Sequence, residues 1–80
     1  MKYTVTITIR LKEGMLNPEA RAIQHALKNL GFQTEDLSTA RLFRITLEAP
    51  DAEAARKTAR QMCDRLLANP VIHEYTIEVE

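Results

Sequence analysis

Met62-Cys63-Asp64-Arg65-Leu66-Leu67-Ala68-Asn69-Pro70-Val71-Ile72-His73-Glu74-Tyr75-Thr76-Ile77-Glu78-Val79-Glu80 is the stretch that decides the fold. It reads as the end of an amphipathic helix, a stop at Asn69-Pro70, and a strand. Pro70 has no N–H and its ring collides with the preceding turn, so a helix ends before it. The same ring biases Asn69 away from the α region. Beyond the corner, Tyr75, Ile77 and Val79 alternate with Glu74, Thr76, Glu78 and Glu80. That is the period of a half-buried strand. The strand must return across whatever Leu66 and Leu67 pack on, so the helix and the strand share a core.

Working outward, residues 2–12 show the same alternation. Tyr3, Val5, Ile7, Ile9 and Leu11 fall on one face, and Lys2, Thr4, Thr6, Thr8, Arg10 and Lys12 on the other. β-Branched residues on both faces strengthen the strand reading. The threonine face can be solvated or can pack on another sheet through its methyls. Lys12 to Leu16 is a loop. Asn17-Pro18-Glu19 reads as an N-cap, a proline at the first helical position and an acid in the first turn. Ala20, Ile23, Ala26, Leu27 and Leu30 recur at helical spacing, with Gly31 just past them as a C′ residue. Phe43, Ile45 and Leu47 alternate with Arg44, Thr46 and Glu48. Upstream the parity slips at Thr39-Ala40, which a bulge or a break there would explain; one long, bent strand over residues 32–49 is the favoured expectation. Pro50-Asp51 ends it and caps a second helix. The buried stripe expected there is Ala55, Ala59, Met62, Cys63, Leu66 and Leu67.

The order β-α-β-α-β, with one-sided strands and helices, implies an α+β two-layer sandwich. A mostly antiparallel sheet with both helices on one face is expected, as a single domain over residues 1–80. The other sheet face, carrying Thr4, Thr6 and Thr8, is left bare for a second subunit. First-strand cations and last-strand acids can pair if those strands are neighbours.

Eighty residues give a small core. Small cores often need disulfides, a metal or a partner chain. Cys63 is the single cysteine, which excludes an internal disulfide and suits a reducing compartment. Zero net charge argues against nucleic acid as a partner. No apolar run approaches membrane-spanning length. Met1 leads straight into a strand pattern, so no signal peptide is expected and a cytoplasmic location is. A homo-oligomer is the remaining way to complete the core.

Reactive constellations are missing. Cys63 lies in the apolar stripe of a helix, with no base near it in sequence, and reads as a buried thiol rather than a nucleophile. His25 reads as a surface or partner-contact histidine, and His73 as partly buried or capping at a strand entrance. Glu74, Glu78 and Glu80 read as an ion-paired or solvated face. Gly14 and Gly31 stand alone, so there is no phosphate loop. No metal-ligand spacing links His25, His73 and Cys63. The chain therefore reads as an interaction module with no catalytic, cofactor-binding or metal-binding residues. An acylphosphatase-type enzyme would want an arginine in the Lys12–Leu16 loop, which has none. An ACT-type ligand-sensing module is the alternative, weakly supported by Gly14.

The segment from Met62 to Tyr75 closely resembles the C-terminal signature of the PurS family, the small subunit of phosphoribosylformylglycinamidine (FGAM) synthase. The first half is similar too, through Leu11-Lys12-Glu13-Gly14-Met15-Leu16-Asn17-Pro18, Ala22-Ile23-Gln24-His25-Ala26-Leu27 and Leu30-Gly31-Phe32. The chain departs from the family pattern at Asn17 and Ala20, where Asp and Gly are usual. It departs again at Ser38-Thr39-Ala40-Arg41, where Arg-x-Gly-Lys is usual. The resemblance implies a PurS-like fold related to the ferredoxin-like one. It implies a required, non-catalytic subunit of a ligase of purine biosynthesis that uses glutamine, ATP and Mg, none of them held on this chain. A homodimer or homotetramer would bridge a glutaminase subunit and a large synthetase subunit and support ammonia transfer. Arg21, Gln24, His25, Asn69 and Pro70 are the expected partner contacts, and Thr4, Thr6 and Thr8 the expected homodimer face.

Overall fold

The computed structural model describes residues 1–80 as β1 (Lys2–Leu11), α1 (Pro18–Asn29), β2 (Arg41–Glu48), α2 (Ala52–Met62), a short π-helical turn (Cys63–Leu67) and β3 (His73–Val79). The sheet order is β2-β1-β3, antiparallel throughout. The element order and the antiparallel sheet are those the sequence implies. β1 sits in the centre because both other strands pair with it, Ile7 facing Phe43 on one side and Ile77 on the other.

The inward side chains of β1 make the core. Val5 and Ile7 are fully buried and Ile9 is 2% exposed. Against them pack Ala55, Ala59 and Cys63, all fully buried. Alanines let α2 approach closely, at the cost of a small buried area. Asp51 caps α2 by accepting the Ala54 N–H at 2.7 Å. The Arg56 guanidinium donates to the Ile77 carbonyl at 2.8 Å, so α2 also occupies part of the free edge of β3. Arg10 and Glu74, opposite each other in register, pair at 2.9 Å as the cross-strand charge pattern suggests.

Three features differ from expectation. First, Leu66 is not in the core but 83% exposed. Ala68 N–H donates to the Cys63 carbonyl at 2.9 Å, an i→i+5 bond that widens the last turn. One extra residue per turn rotates Leu66 outward and brings Leu67 and Ala68 in. Second, β2 begins only at Arg41, and residues 32–40 form no strand. The ladder ends at the Ile9–Arg41 pair, where β1 is about to turn away at Lys12, so residues farther upstream have no partner strand. The parity slip at Thr39-Ala40 marks an end, not a bulge.

Third, α2 takes the sheet and α1 stands largely off it. Asn17 caps α1 by accepting the Ala20 N–H at 3.0 Å. Gly31 (φ +98°) closes the helix, with Phe32 N–H on the Leu27 carbonyl and Gly31 N–H on the Lys28 carbonyl. The chain then returns along the helix. Gln24 Nε2 donates to Thr34, and Asn17 Nδ2 to Thr39 Oγ1. Helix and return segment form an arm, and the molecule measures 51 × 24 × 16 Å. Its radius of gyration of 16.1 Å exceeds the about 12 Å of a compact chain this long. Ala20 is buried at the root of the arm, but Ile23, Leu30 and Phe32 are exposed. Over β2, Phe43, Ile45 and Leu47 are only half-buried, since α2 lies over β1 and β3.

Where α2 meets β3, the Tyr75 hydroxyl donates to Asp64 Oδ1 at 3.1 Å. Burial, and then the neighbouring Asp64 carboxylate, push the Cys63 thiol pKa up. Burial and the bond to Asp64 push Tyr75 up as well. Both groups hold their protons more tightly folded than unfolded. Their contribution to stability is therefore level below the ordinary thiol range and falls as pH rises past about 9. Alkaline unfolding should follow this slope, and Cys63→Ala should flatten it; an unchanged slope in the variant rules the thiol out as a cause. In urea at neutral pH, Ile7→Ala should lose about 3 kcal/mol, whereas Leu66→Gln should stay within about 0.5 kcal/mol of the parent. A large loss at Leu66 would contradict the π-helical turn.

Candidate partner-binding surfaces

Helical spacing puts Arg21, His25 and Lys28 in one row along α1, because positions i, i+4 and i+7 return to nearly the same angle. Together with Gln24, Phe32, Gln33 and Thr34 they line an open groove of about 330 Å³. Gln24 sets the shape of this groove. Its amide nitrogen lies 3.1 Å from Thr34 Oγ1 and 3.3 Å from the Thr34 carbonyl, holding the return segment against the helix. No acidic side chain lines the groove, and Arg21, His25 and Lys28 take part in no ion pair. Three of the expected partner residues, Arg21, Gln24 and His25, are thus brought together. Lys28 and Phe32 complete the groove. Lys28 shares the polar side of the helix with them by its spacing from Arg21, but Phe32 reaches the groove only because Gly31 turns the chain back.

Asn69 and Pro70 lie elsewhere, at a tight corner. Asn69 N–H donates to His73 Nδ1 at 2.9 Å, and its side-chain oxygen accepts Val71 N–H at 3.0 Å. Its carbonyl accepts the N–H groups of Ile72 and His73. Lys12 Nζ donates to the Pro70 carbonyl at 2.8 Å. His73 therefore caps, as its position suggests. These bonds tie the corner together, and Val71 projects from it into solvent.

The third surface is the outer sheet face. Thr4, Thr6 and Thr8 run down its middle, half-buried. Thr4 faces Thr46, with hydroxyls 3.2 Å apart, and Thr8 lies between Leu42 and Thr76. Arg44 reaches across to Glu80 at 3.9 Å, so the charges on this face are largely balanced within it. Glu74 and Glu80 are ion-paired, in keeping with a structural role.

Cys63 is buried and its pKa is raised, the opposite of an activated thiolate. His73 Nδ1 is engaged by backbone. No three His, Cys, Asp or Glu side chains converge as a metal site would require. Arg41 and Arg44 point to different surfaces: Arg41 lies beside Asn17, Glu19 and His73, and Arg44 on the outer sheet face. No helix is long and apolar enough to cross a membrane.

Comparison with known proteins gives one consistent answer. A sequence model of the family PurS, phosphoribosylformylglycinamidine (FGAM) synthase, matches residues 4–80. The phosphoribosylformylglycinamidine synthase subunit PurS of Methanothermobacter thermautotrophicus is 46% identical over 79 residues, covering 99% of this chain and 94% of that protein. The crystal structure of Methanocaldococcus jannaschii PurS superposes with a TM-score of 0.87 at 44% identity, covering 98% of this chain and 95% of that one. A chain in the structure of PurLQS from Thermotoga maritima has a TM-score of 0.89 at 22% identity, covering 100% of this chain and 99% of that one, a likeness of fold. Nothing in these matches supports an ACT-type module. The chain belongs to the PurS family.

Proposed function

We propose that this chain is the small, non-catalytic subunit of phosphoribosylformylglycinamidine synthase in purine biosynthesis. Relatives that match almost its whole length are named as that subunit. The observation that carries the reading is the contrast between interior and surface. The core holds a protonated thiol and aliphatic side chains, with no buried polar or charged residue. The surface offers three separate docking areas spread over a body 51 Å long. Such a shape suits a bridge between a glutaminase subunit and a large synthetase subunit.

The physical need is transfer of ammonia. Released into water, ammonia is protonated and diluted, and it is no longer a nucleophile. A scaffold that fixes two active sites against each other keeps its effective concentration high. In this reading the other subunits supply the cysteine that releases ammonia and the site that takes ATP and Mg. The small subunit supplies alignment, and the assembly works in the cytoplasm.

Self-association fits the same picture. The exposed stripe of α1 and the half-covered side chains of β2 are unmatched apolar surfaces. The Thr4-Thr6-Thr8 face, charge-balanced and rich in methyls, suits a second copy of the sheet. Two self-contacting surfaces on one chain allow a dimer of dimers.

Two measurements test this. Mixing the chain with purified glutaminase and synthetase subunits should produce glutamine-dependent activity that the pair alone lacks; activity of the pair alone at full rate would reject the proposal. Thr8→Lys should place an ammonium between Leu42 and Thr76 and reduce the assembly by one association step, read by sedimentation. An unchanged mass would remove the threonine face from the interface.

A further inference from the structure

The groove along the outer side of α1 has a more specific reading. The cations Arg21 and Lys28 and the imidazole of His25 lie in a row, with no carboxylate on any wall. On the sheet, two cations pair across strands, at Arg10–Glu74 and Arg44–Glu80. Lys12 and Arg56 cover backbone carbonyls. By its own lining the groove is a local excess of positive charge in a chain of zero net charge.

Its shape selects among anions. Arg21 and Lys28 are seven residues apart, about 10 Å along the axis at 1.5 Å per residue. A single phosphate or carboxylate meets both only if the two side chains bend toward each other along the helix. The groove is open, its cations are exposed, and no glycine-rich backbone lines it, so it lacks the enclosure that small-molecule sites have. A linear acidic segment matches the row. The exposed Phe32 at the end of the groove offers an apolar anchor of the sort that carries protein interfaces. Gln24, tied to Thr34, holds the two walls at a set separation.

We infer that this groove receives an acidic polypeptide segment of one of the other two synthase subunits, with two carboxylates about 10 Å apart and an apolar side chain against Phe32. The inference rests on the bridging role proposed above and names the chemistry of one of its contacts. The opposite side of α1, with Ile23 and Leu30, is left for self-association, so one helix serves two contacts on two faces.

The test is calorimetric titration of the chain into each purified subunit separately. Arg21→Glu with Lys28→Glu should weaken binding to one subunit by about tenfold or more and leave the other unchanged. Arg21→Lys with Lys28→Arg, which keeps the charge, should bind within about twofold of the parent. Raising the ionic strength should weaken the same contact in the parent and have little effect in the double Glu variant. Both variants change exposed helix positions, and unchanged circular dichroism and sedimentation mass confirm that the arm and the oligomer persist. Parent-like binding of the double Glu variant to both subunits overturns the inference while leaving the bridging role intact. Failure of the parent to bind either subunit overturns the bridging role itself. If a short RNA binds the parent and not the double Glu variant, while both subunits bind the two alike, the groove is a nucleic-acid site and the inference is wrong.

Discussion

The structure depends on the pleat of β1. Successive side chains of a strand point to opposite faces, so ten residues divide into an apolar row and a threonine row. Because β1 is the middle strand, that division is imposed on the whole sheet. Val5, Ile7 and Ile9 receive α2, and Thr4, Thr6 and Thr8 are turned to the other side. A shift of one residue in either neighbouring strand would place glutamates and arginines in the core. Pairing on both edges makes such a shift costly, which is how so small a core specifies one arrangement.

That core is small for a physical reason. Only nine of the 80 residues are buried, and six of these are alanine or cysteine. Ala55, Ala59 and Cys63 let the helix lie close to β1 but enclose little volume. α2 covers two strands, and the third keeps its aromatic and aliphatic side chains half open. A chain built this way has little interior in which to desolvate a catalytic group. Much of its apolar area and charge therefore lies on the outside.

The arm follows from the same economy of material. An amphipathic helix normally buries its apolar stripe, yet α1 finds room on its own sheet only at its root. Its ends are secured locally instead, by the Asn17 cap and by the left-handed Gly31. Gln24 and Asn17 then bind the returning chain. These bonds hold the helix and residues 33–40 as one unit that projects from the sheet. Reach is gained and apolar surface is left unmatched, a combination suited to a subunit that joins other polypeptides.

Local rules determined much of this. Alternation determined the strands, Asn17 and Asp51 the helix starts, Gly31 and Pro70 the stops, and the residues around the Asn69-Pro70 corner the family. Each depends on neighbours within a few positions, so each is written in the chain itself. Long-range contacts decided the rest. The end of β2 at Arg41 depends on where its partner strand runs out, which is not a property of residues 32–40. Leu66 faces solvent because one i→i+5 bond widens a turn, and periodicity assumes a constant turn. The gathering of Arg21, Gln24, His25, Lys28 and Phe32 into a groove needs the chain to fold back at Gly31. The separation of that groove from Asn69 and Pro70 likewise arises only when the helix leaves the sheet, because distance across a fold is set by packing and not by sequence spacing.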